Sequence, residues 1–344
     1  MVTIGIDAHK RNHTAVIVDG QGRQLAQRTC GATSNDHFAL LAWAAQHDSV
    51  RVWAVEDCRH LSRRLERDLL AAGERIVRVS PKLMAQARSS ARSFGKSDPI
   101  DALAVARAAL REPELPVARL DGPERELRLL IDHREDLVGE RTRMISRLRW
   151  YLHELDPELE QATRSLTALR TLDKLAALLA DNPETVAPFA RSLVEHCRRL
   201  TGEINKLERQ IDARVSQLAP TLLAIHGCGA LSAAKIIGET AGIDRFKNND
   251  AYARHNGTAP LPVWSANRQR HRLSRTGNRQ LNAALHRIAL TQARSHPAAQ
   301  AMLARRKAQG DGGLEALRVL KRRLSDVVYR ALLADLTTPR TNAT

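Results

Sequence analysis

The sequence predicts a mixed α/β N-terminal domain, a long helical middle and a mainly helical C-terminal domain. Three observations carry that reading. Short β-branched runs ending in acids fill the N-terminal part, apolar residues spaced in threes and fours fill the centre, and a glycine turn feeding a helix opens the last third. A chain of 344 residues has room for two or three domains and a sizeable core. The divisions that follow are 1–118, 119–219 and 220–336, with a tail over 337–344.

The N-terminal elements come in an order with consequences. Strands are expected at Val2–Asp7, His13–Asp19 and Gln24–Thr29, with the turn residues Asp19-Gly20-Gln21-Gly22 between the last two. A helix over Asp36–Gln46, a strand ending at Glu56, a helix over Leu61–Ala72 and a strand at Arg75–Val79 follow. Three antiparallel strands and then alternating helices and strands suggest a ribonuclease-H-like sheet, in which a first-strand acid and a fourth-strand acid lie side by side.

Four carboxylates stand out on these elements. Asp7 and Glu56 end two strands, and Asp98 and Asp101 open a helix in Lys96-Ser97-Asp98-Pro99-Ile100-Asp101. Four such oxygen donors converging on one point suit a hard cation, and Mg²⁺ typically binds through carboxylates plus a phosphate substrate. Each acid also has a plainer reading. Asp98 before Pro99 is a natural N-cap, Asp101 complements the helix dipole, and Asp7 and Glu56 could be simple strand ends. Those readings leave unexplained why two buried strands both end in acids.

Composition points to polyanions. There are 54 Lys and Arg against 38 Asp and Glu, a formal net charge of +16, and neutralising phosphates releases their condensed counterions. Aromatic residues are only 3%, which argues against base stacking as the main grip. The four cysteines, Cys30, Cys58, Cys197 and Cys228, show no C-x-x-C spacing, so neither a zinc site nor a disulfide framework is expected. Without an apolar signal region or a run of membrane-spanning length, a soluble cytoplasmic protein is expected.

In the middle region apolar residues recur from Leu127 to Leu155, interrupted by Arg134 and Arg141. A cleaner seam runs through Leu193, Cys197, Leu200, Ile204, Leu207, Ile211, Val215 and Leu218, in heptad steps. Two such helices could pair as an antiparallel coiled-coil arm within one subunit, or could join subunits.

Past Pro220, Ile225-His226-Gly227-Cys228-Gly229 leads into a helix over Ser232–Thr240, the pattern of a helix-hairpin-helix whose glycines, Gly227 and Gly229, let backbone N–H groups approach a phosphate. A plain helix-packing unit fits the same pattern. Phe246 and Tyr252 are expected in its small core. The stretch from Trp264 to Arg279 holds five arginines, Arg268, Arg270, Arg272, Arg275 and Arg279, and no acid. It reads as a phosphate-gripping loop before a helix over Gln280–Ala293, because guanidinium forks bind phosphate oxygens bidentately. Ser265 stands at its head and Ser274 competes with it. Either needs a base or a metal-polarised phosphate to react.

Taken together, the motifs resemble those of the DEDD transposases of bacterial insertion sequences, relatives of the Piv-type DNA invertases. GIDAHK with Asp7 and Lys10, the Glu56 of AVED, and K-S-D-x-x-D-A resemble the family's RuvC-like half. The G-x-G-x-x-x-A turn, F-K-N-x-x-x-x-A, G-x-A-P and R-x-G-N-R-x-L-N resemble its C-terminal half, so the likeness covers nearly the whole chain. The resemblance implies that Asp7, Glu56, Asp98 and Asp101 bind Mg²⁺ or Mn²⁺ and that a C-terminal serine attacks the phosphodiester and holds the cut strand. The family serine sits in a Ser-Ser-Gly context; here the triplet is Trp264-Ser265-Ala266, which keeps Ser265 alone. Also implied are double-stranded donor and target DNA, a noncoding guide RNA from the element's flank, a homo-oligomer, and a bacterial cytoplasmic location at the nucleoid. Lys10, Lys96 and the arginines would contact nucleic acid. The rival readings are a junction-resolving nuclease using water in place of serine, and a non-catalytic nucleic-acid-binding protein.

Overall fold

The computed structural model describes residues 1–56, 59–79, 83–84, 97–112, 115, 117–119, 122–158, 165–265, 268–272 and 277–337. They fall into two compact units, Met1–Asp121 and Gly122–Thr344.

The first unit is built on a five-stranded sheet of β1 (Val2–Ala8), β2 (Asn12–Val18), β3 (Gln24–Gly31), β4 (Arg51–Glu56) and β5 (Ile76–Val79), in the order β3-β2-β1-β4-β5. The first three strands are antiparallel neighbours, and β4 and β5 run parallel to β1. Asp19 closes the β2–β3 turn, its Oδ1 accepting from the backbone N–H groups of Gln21 and Arg23 at 2.9 Å. Helices α1 (Ser34–Ala45) and α2 (Arg59–Ala71) bury Leu40, Ala44, Leu65 and Leu69 against Ile4, Ile6, Trp53 and Val55 on one face of the sheet. The N-terminus of α1 is fixed by a capping box between Thr33 and Asp36.

The other face takes α3 (Asp98–Arg111). It lies directly on β1: a Cβ added to Gly5 would land on the Ala102 carbonyl oxygen and 2.5 Å from the Ala106 nitrogen. Only glycine allows that approach. Ala54 of β4 faces the same helix, packing with Val105 and Ala108.

The second unit is helical. Helices α4 (Pro123–Leu155) and α6 (Ala187–Leu218) pack antiparallel, with α5 (Leu169–Leu178) against their far end. The heptad seam is what they bury: Leu127 and Ile131 lie with Ile211 and Val215, Leu137 with Leu200 and Ile204, Leu148 and Leu152 with Leu193 and Cys197. The two arginines that interrupt the α4 run both reach across to α6. Arg134 donates to Glu208 through Nε at 3.0 Å, and Arg141 Nη1 donates to Thr201 Oγ1 at 3.1 Å.

A single-turn α7 (Pro220–Leu223) leads to α8 (Ala230–Thr240), and α9 (Asn249–His255) follows. Helices α10 (Arg279–Ser295), α11 (Pro297–Ala308) and α12 (Gly313–Thr337) enclose them. As expected, Phe246 packs edge-on to the fully buried Tyr252 ring, 5.3 Å between centroids. Buried Lys235 of α8 donates to Asp132 and Glu135 of α4, each at 2.8 Å. Among the described residues no helix is long and apolar enough to cross a membrane.

One expectation needs correction. The arginine-rich stretch is not an open loop: β6 (Leu261–Ser265) and β7 (Arg268–Arg272) pair antiparallel as a two-stranded ribbon. Leu-Pro-Val-Trp-Ser is a short apolar run of strand length, and its partner strand alternates arginine with Gln269 and His271, a period the charge density conceals.

Candidate functional site

Asp7 stands near the end of the central strand, and Glu56 ends its parallel neighbour. The pairing Ile6↔Val55 puts the two acids one step further along adjacent strands. Both share the parity of Gly5 and Ala54, and therefore the face that carries α3. Packing of α3 on Gly5 then brings the first turn of that helix, with Asp98 and Asp101, to the same end of the sheet. The carboxyl ends of parallel strands are where open α/β sheets place their ligands.

The capping interpretation of Asp98 does not hold. Ser97 is the N-cap residue, without a side-chain cap hydrogen bond, and Asp98 is the first helical residue. Its carboxylate turns instead toward His9, whose Nε2 lies 3.5 Å from Asp98 Oδ1 and 3.1 Å from Asp7 Oδ2. The three donor atoms of Asp7, His9 and Asp98 all fall within 4.8 Å of one another. Asp101 and Glu56 lie outside that group; Asp101 is buried, Glu56 half-buried.

Burial raises the Asp7 carboxyl above the ordinary carboxylate range, His9 opposes this, and the like charges of Asp101 and Asp98 add to it. A buried acid beside two others is an arrangement that a bound cation would relieve, because its charge favours the ionised forms. The donor set, oxygen-rich with one imidazole nitrogen, fits a divalent ion of the Mg²⁺ or Mn²⁺ kind.

In the second unit, Ser265 is the last residue of β6 and pairs with Arg268. Arg270 pairs with Val263 and Arg272 with Leu261, so the arginine strand runs alongside the strand that Ser265 ends. Lys96, Ser274 and Arg275 lie outside the described residues, while Lys10 and Arg279 are exposed.

The ends of the stretch carrying the ribbon meet at its base. Gly277 lies so close to Gly257 that an added Cβ would stand 2.5 Å from the Gly257 Cα. The Asn278 backbone N–H donates to the His255 carbonyl at 2.6 Å, its Nδ2 donates to Glu239 Oε2 at 2.5 Å, and its Oδ1 caps α10 by accepting from Leu281 N–H at 2.9 Å. Asn282 Nδ2 donates to the Asn256 carbonyl at 2.8 Å, and buried Lys321 donates to Asn282 Oδ1 at 2.6 Å. The G-x-A-P and R-x-G-N-R-x-L-N motifs therefore form one clasp. Sequence reasoning took the second motif for part of the phosphate grip.

The two glycines of the α8 turn differ. Gly227 has φ +83 and would press a Cβ to 3.0 Å from Thr291, so the fold requires a glycine there. Gly229 faces open space, at a groove of about 620 Å³ lined also by Asn205, Glu208, Arg209, Asp212 and Ser232.

Known proteins resemble this chain along most of its length. A transposase family model, the DEDD transposase of the IS110 type, matches residues 4–157, and a second, the transposase IS116/IS110/IS902 family, matches residues 219–304. The chain belongs to the IS110-type DEDD transposases. These are enzymes of DNA transposition, and insertion-element proteins align along the whole of this transposase. The 44.8 kDa protein of insertion element IS116 from Streptomyces clavuligerus is 28% identical over 97% of this chain and 95% of its own. The 42 kDa protein of IS900 from Mycobacterium paratuberculosis is 29% identical over 97% and 96%. Among solved structures, T. thermophilus RuvC in complex with a Holliday junction substrate aligns with 34% of this chain and 99% of its own, at 15% identity and a TM-score of 0.28.

His9 is the site residue that sequence reasoning passed over. The signal was available, since it follows Asp7 by two residues and strand alternation carries it toward the same face.

Proposed function

We propose that this transposase is a site-specific recombinase that cleaves and exchanges DNA strands through a serine nucleophile, assisted by divalent metal and directed by a noncoding RNA of its element. The observation that carries the metal-dependent part is the meeting of Asp7 and Asp98 beside buried Asp101, at the strand ends of a unit matched by a DEDD transposase model. The sheet order β3-β2-β1-β4-β5, with three antiparallel strands before the parallel ones, supports a RuvC-like reading of that unit.

Asp7, Glu56, Asp98 and Asp101 hold the cation, and Ser265 is the attacking group. When bound, the metal supplies charge stabilisation to the scissile phosphate. The arginines of β7, paired in register with the strand that ends at Ser265, grip phosphate oxygens and orient them for attack. The Oγ–P bond forms as the P–O bond to the departing strand breaks, and the serine proton ends on the departing oxygen as a hydroxyl. Attack by a new strand's hydroxyl on the phosphoserine reverses this, so bond energy is conserved without ATP.

Residues 1–118 provide the acids and 220–336 the serine and a helix-hairpin-helix DNA contact at Gly227 and Gly229, followed by the tail 337–344. The helices of 119–219 act as a coiled-coil arm in a homo-oligomer working in the cytoplasm at the nucleoid. The net charge of +16 suits grip on DNA and RNA phosphates, with Lys10, Lys96 and Arg279 contributing.

A covalent-capture assay tests this. Purified protein, transcript from its flank, Mg²⁺ and labelled junction DNA are mixed, denatured and compared with Ser265→Ala. A protein–DNA adduct absent from the variant is the expected result. Cleavage with free ends in both proteins would replace the serine with water and make the enzyme a junction-resolving nuclease.

A further inference from the structure

Among the described residues, the His9 ring meets the fold through the acids of the candidate site. Its side chain is 47% exposed, and its backbone N–H is satisfied by the Asn12 carbonyl at 3.0 Å. Yet the ring is turned inward between two carboxylates of the candidate site, Nε2 lying 3.1 Å from Asp7 Oδ2 and 3.5 Å from Asp98 Oδ1. A surface imidazole serving only solubility would point to water.

The spacing is that of donors sharing one ion. In an octahedral sphere with bonds of about 2.1 Å, adjacent donors stand about 3.0 Å apart. Both carboxylate–imidazole distances are near that value, and all three donor atoms fit within 4.8 Å. A cation entering between Asp7 and Asp98 arrives where Nε2 already points. In the metal-free site Nε2–H donates to Asp7 Oδ2; an entering cation displaces that proton to solvent and takes the Nε2 lone pair, the neutral ring keeping its proton on Nδ1.

We propose that His9 is a nitrogen ligand of the cation held by Asp7 and Asp98, giving this chain a mixed carboxylate–imidazole site that selects Mn²⁺ over Mg²⁺. Both ions favour oxygen, but Mg²⁺ is the more exacting about an all-oxygen octahedron, so one imidazole donor penalises Mg²⁺ more than Mn²⁺. The inference rests on the reading of the acids as a metal site.

The test uses the full chain loaded with Mn²⁺ and pulsed electron paramagnetic resonance, which detects nitrogen bound to the ion. Wild type is expected to show nitrogen coupling that changes on ¹⁵N-histidine labelling and vanishes in His9→Ala. In competition binding, the preference for Mn²⁺ over Mg²⁺ should fall about tenfold in His9→Ala and His9→Gln, an effect of the size usual for residues that build a metal site. Circular dichroism checks that both variants fold. Mn²⁺ bound in an Asp7-dependent way without nitrogen coupling, or coupling that survives in His9→Ala, overturns the proposal and leaves the metal site intact. Failure of wild type to bind Mn²⁺ in an Asp7-dependent way overturns the metal reading and this inference with it.

Discussion

The acids and the serine ribbon are positioned by opposite means. Asp7, Asp98 and Asp101 are placed by backbone packing, a helix laid on a strand where Gly5 leaves no side chain between them. The β6–β7 ribbon is held at its base by polar side chains, Asn278, Asn282, Asn256 and Lys321, bonding backbone, one another, Glu239 and Ser325. Packing fixes a position by leaving no alternative. A hydrogen-bond clasp fixes it only while every partner is present, since a buried group left unpaired costs more than the bond contributed. The acids should thus tolerate exchange of their polar neighbours and fail on added volume, and the ribbon should behave the other way.

The largest expected effect is at Gly5. A Gly5→Val substitution drives methyl groups into the α3 backbone and should cost about 3 kcal/mol or unfold the first unit, because backbone cannot yield as a side chain does. Urea unfolding followed through the buried Trp53 reports it. A stability equal to wild type would mean that something other than this contact places Asp98.

Next comes Asn278→Ala, which removes the α10 cap and the bond to Glu239 at once. About 2 kcal/mol should be lost. Covalent-adduct yield should drop while Mn²⁺ binding by the acids stays at the wild-type level. Loss of both together would erase the distinction drawn between the two regions.

Asp7→Asn works in the other direction. The raised carboxyl means that ionising Asp7 costs the folded state stability: the cost is absent at pH values below the ordinary carboxylate range, grows as pH rises, and is complete above the folded pKa. Metal-free Asp7→Asn should therefore melt about 2 °C higher than wild type at neutral pH, with the gain disappearing in acid, while its Mn²⁺ binding is lost. Equal melting temperatures across the pH range would show that neither burial nor the neighbouring acids burden Asp7.

These differences explain what could be read beforehand. The strands, the order of elements and the seam from Leu193 to Leu218 were legible because each repeats with a period that local residues set. Asp7 and Glu56 were legible because an acid ending a buried strand is costly. The clasp was not, since Asn278 meets Glu239 and Asn282 meets Lys321 across 39 residues each, and no local pattern records such pairings. The ribbon was hidden by its arginines, whose charge reads as loop whatever the backbone does. His9 escaped because a histidine after a strand is ordinary until Asp98 arrives from a distant helix.

The helix pair α4–α6 offers the smallest and most discriminating case, because packing and polar contacts occur there side by side. Arg134 donates to Glu208 from a half-exposed position, where such ion pairs contribute at most about 1 kcal/mol. Arg141 bonds Thr201, but its buried Nε finds no partner among the described residues, and burial lowers its pKa. Arg134→Met should thus destabilise slightly, whereas Arg141→Met, which replaces a poorly satisfied cation with apolar volume against the seam, should fall within about 0.5 kcal/mol of wild type or above it. Thermal denaturation of both variants decides. If Arg141→Met costs more than its companion, the seam is not what aligns these helices, and polar contacts set position here as they do at the ribbon.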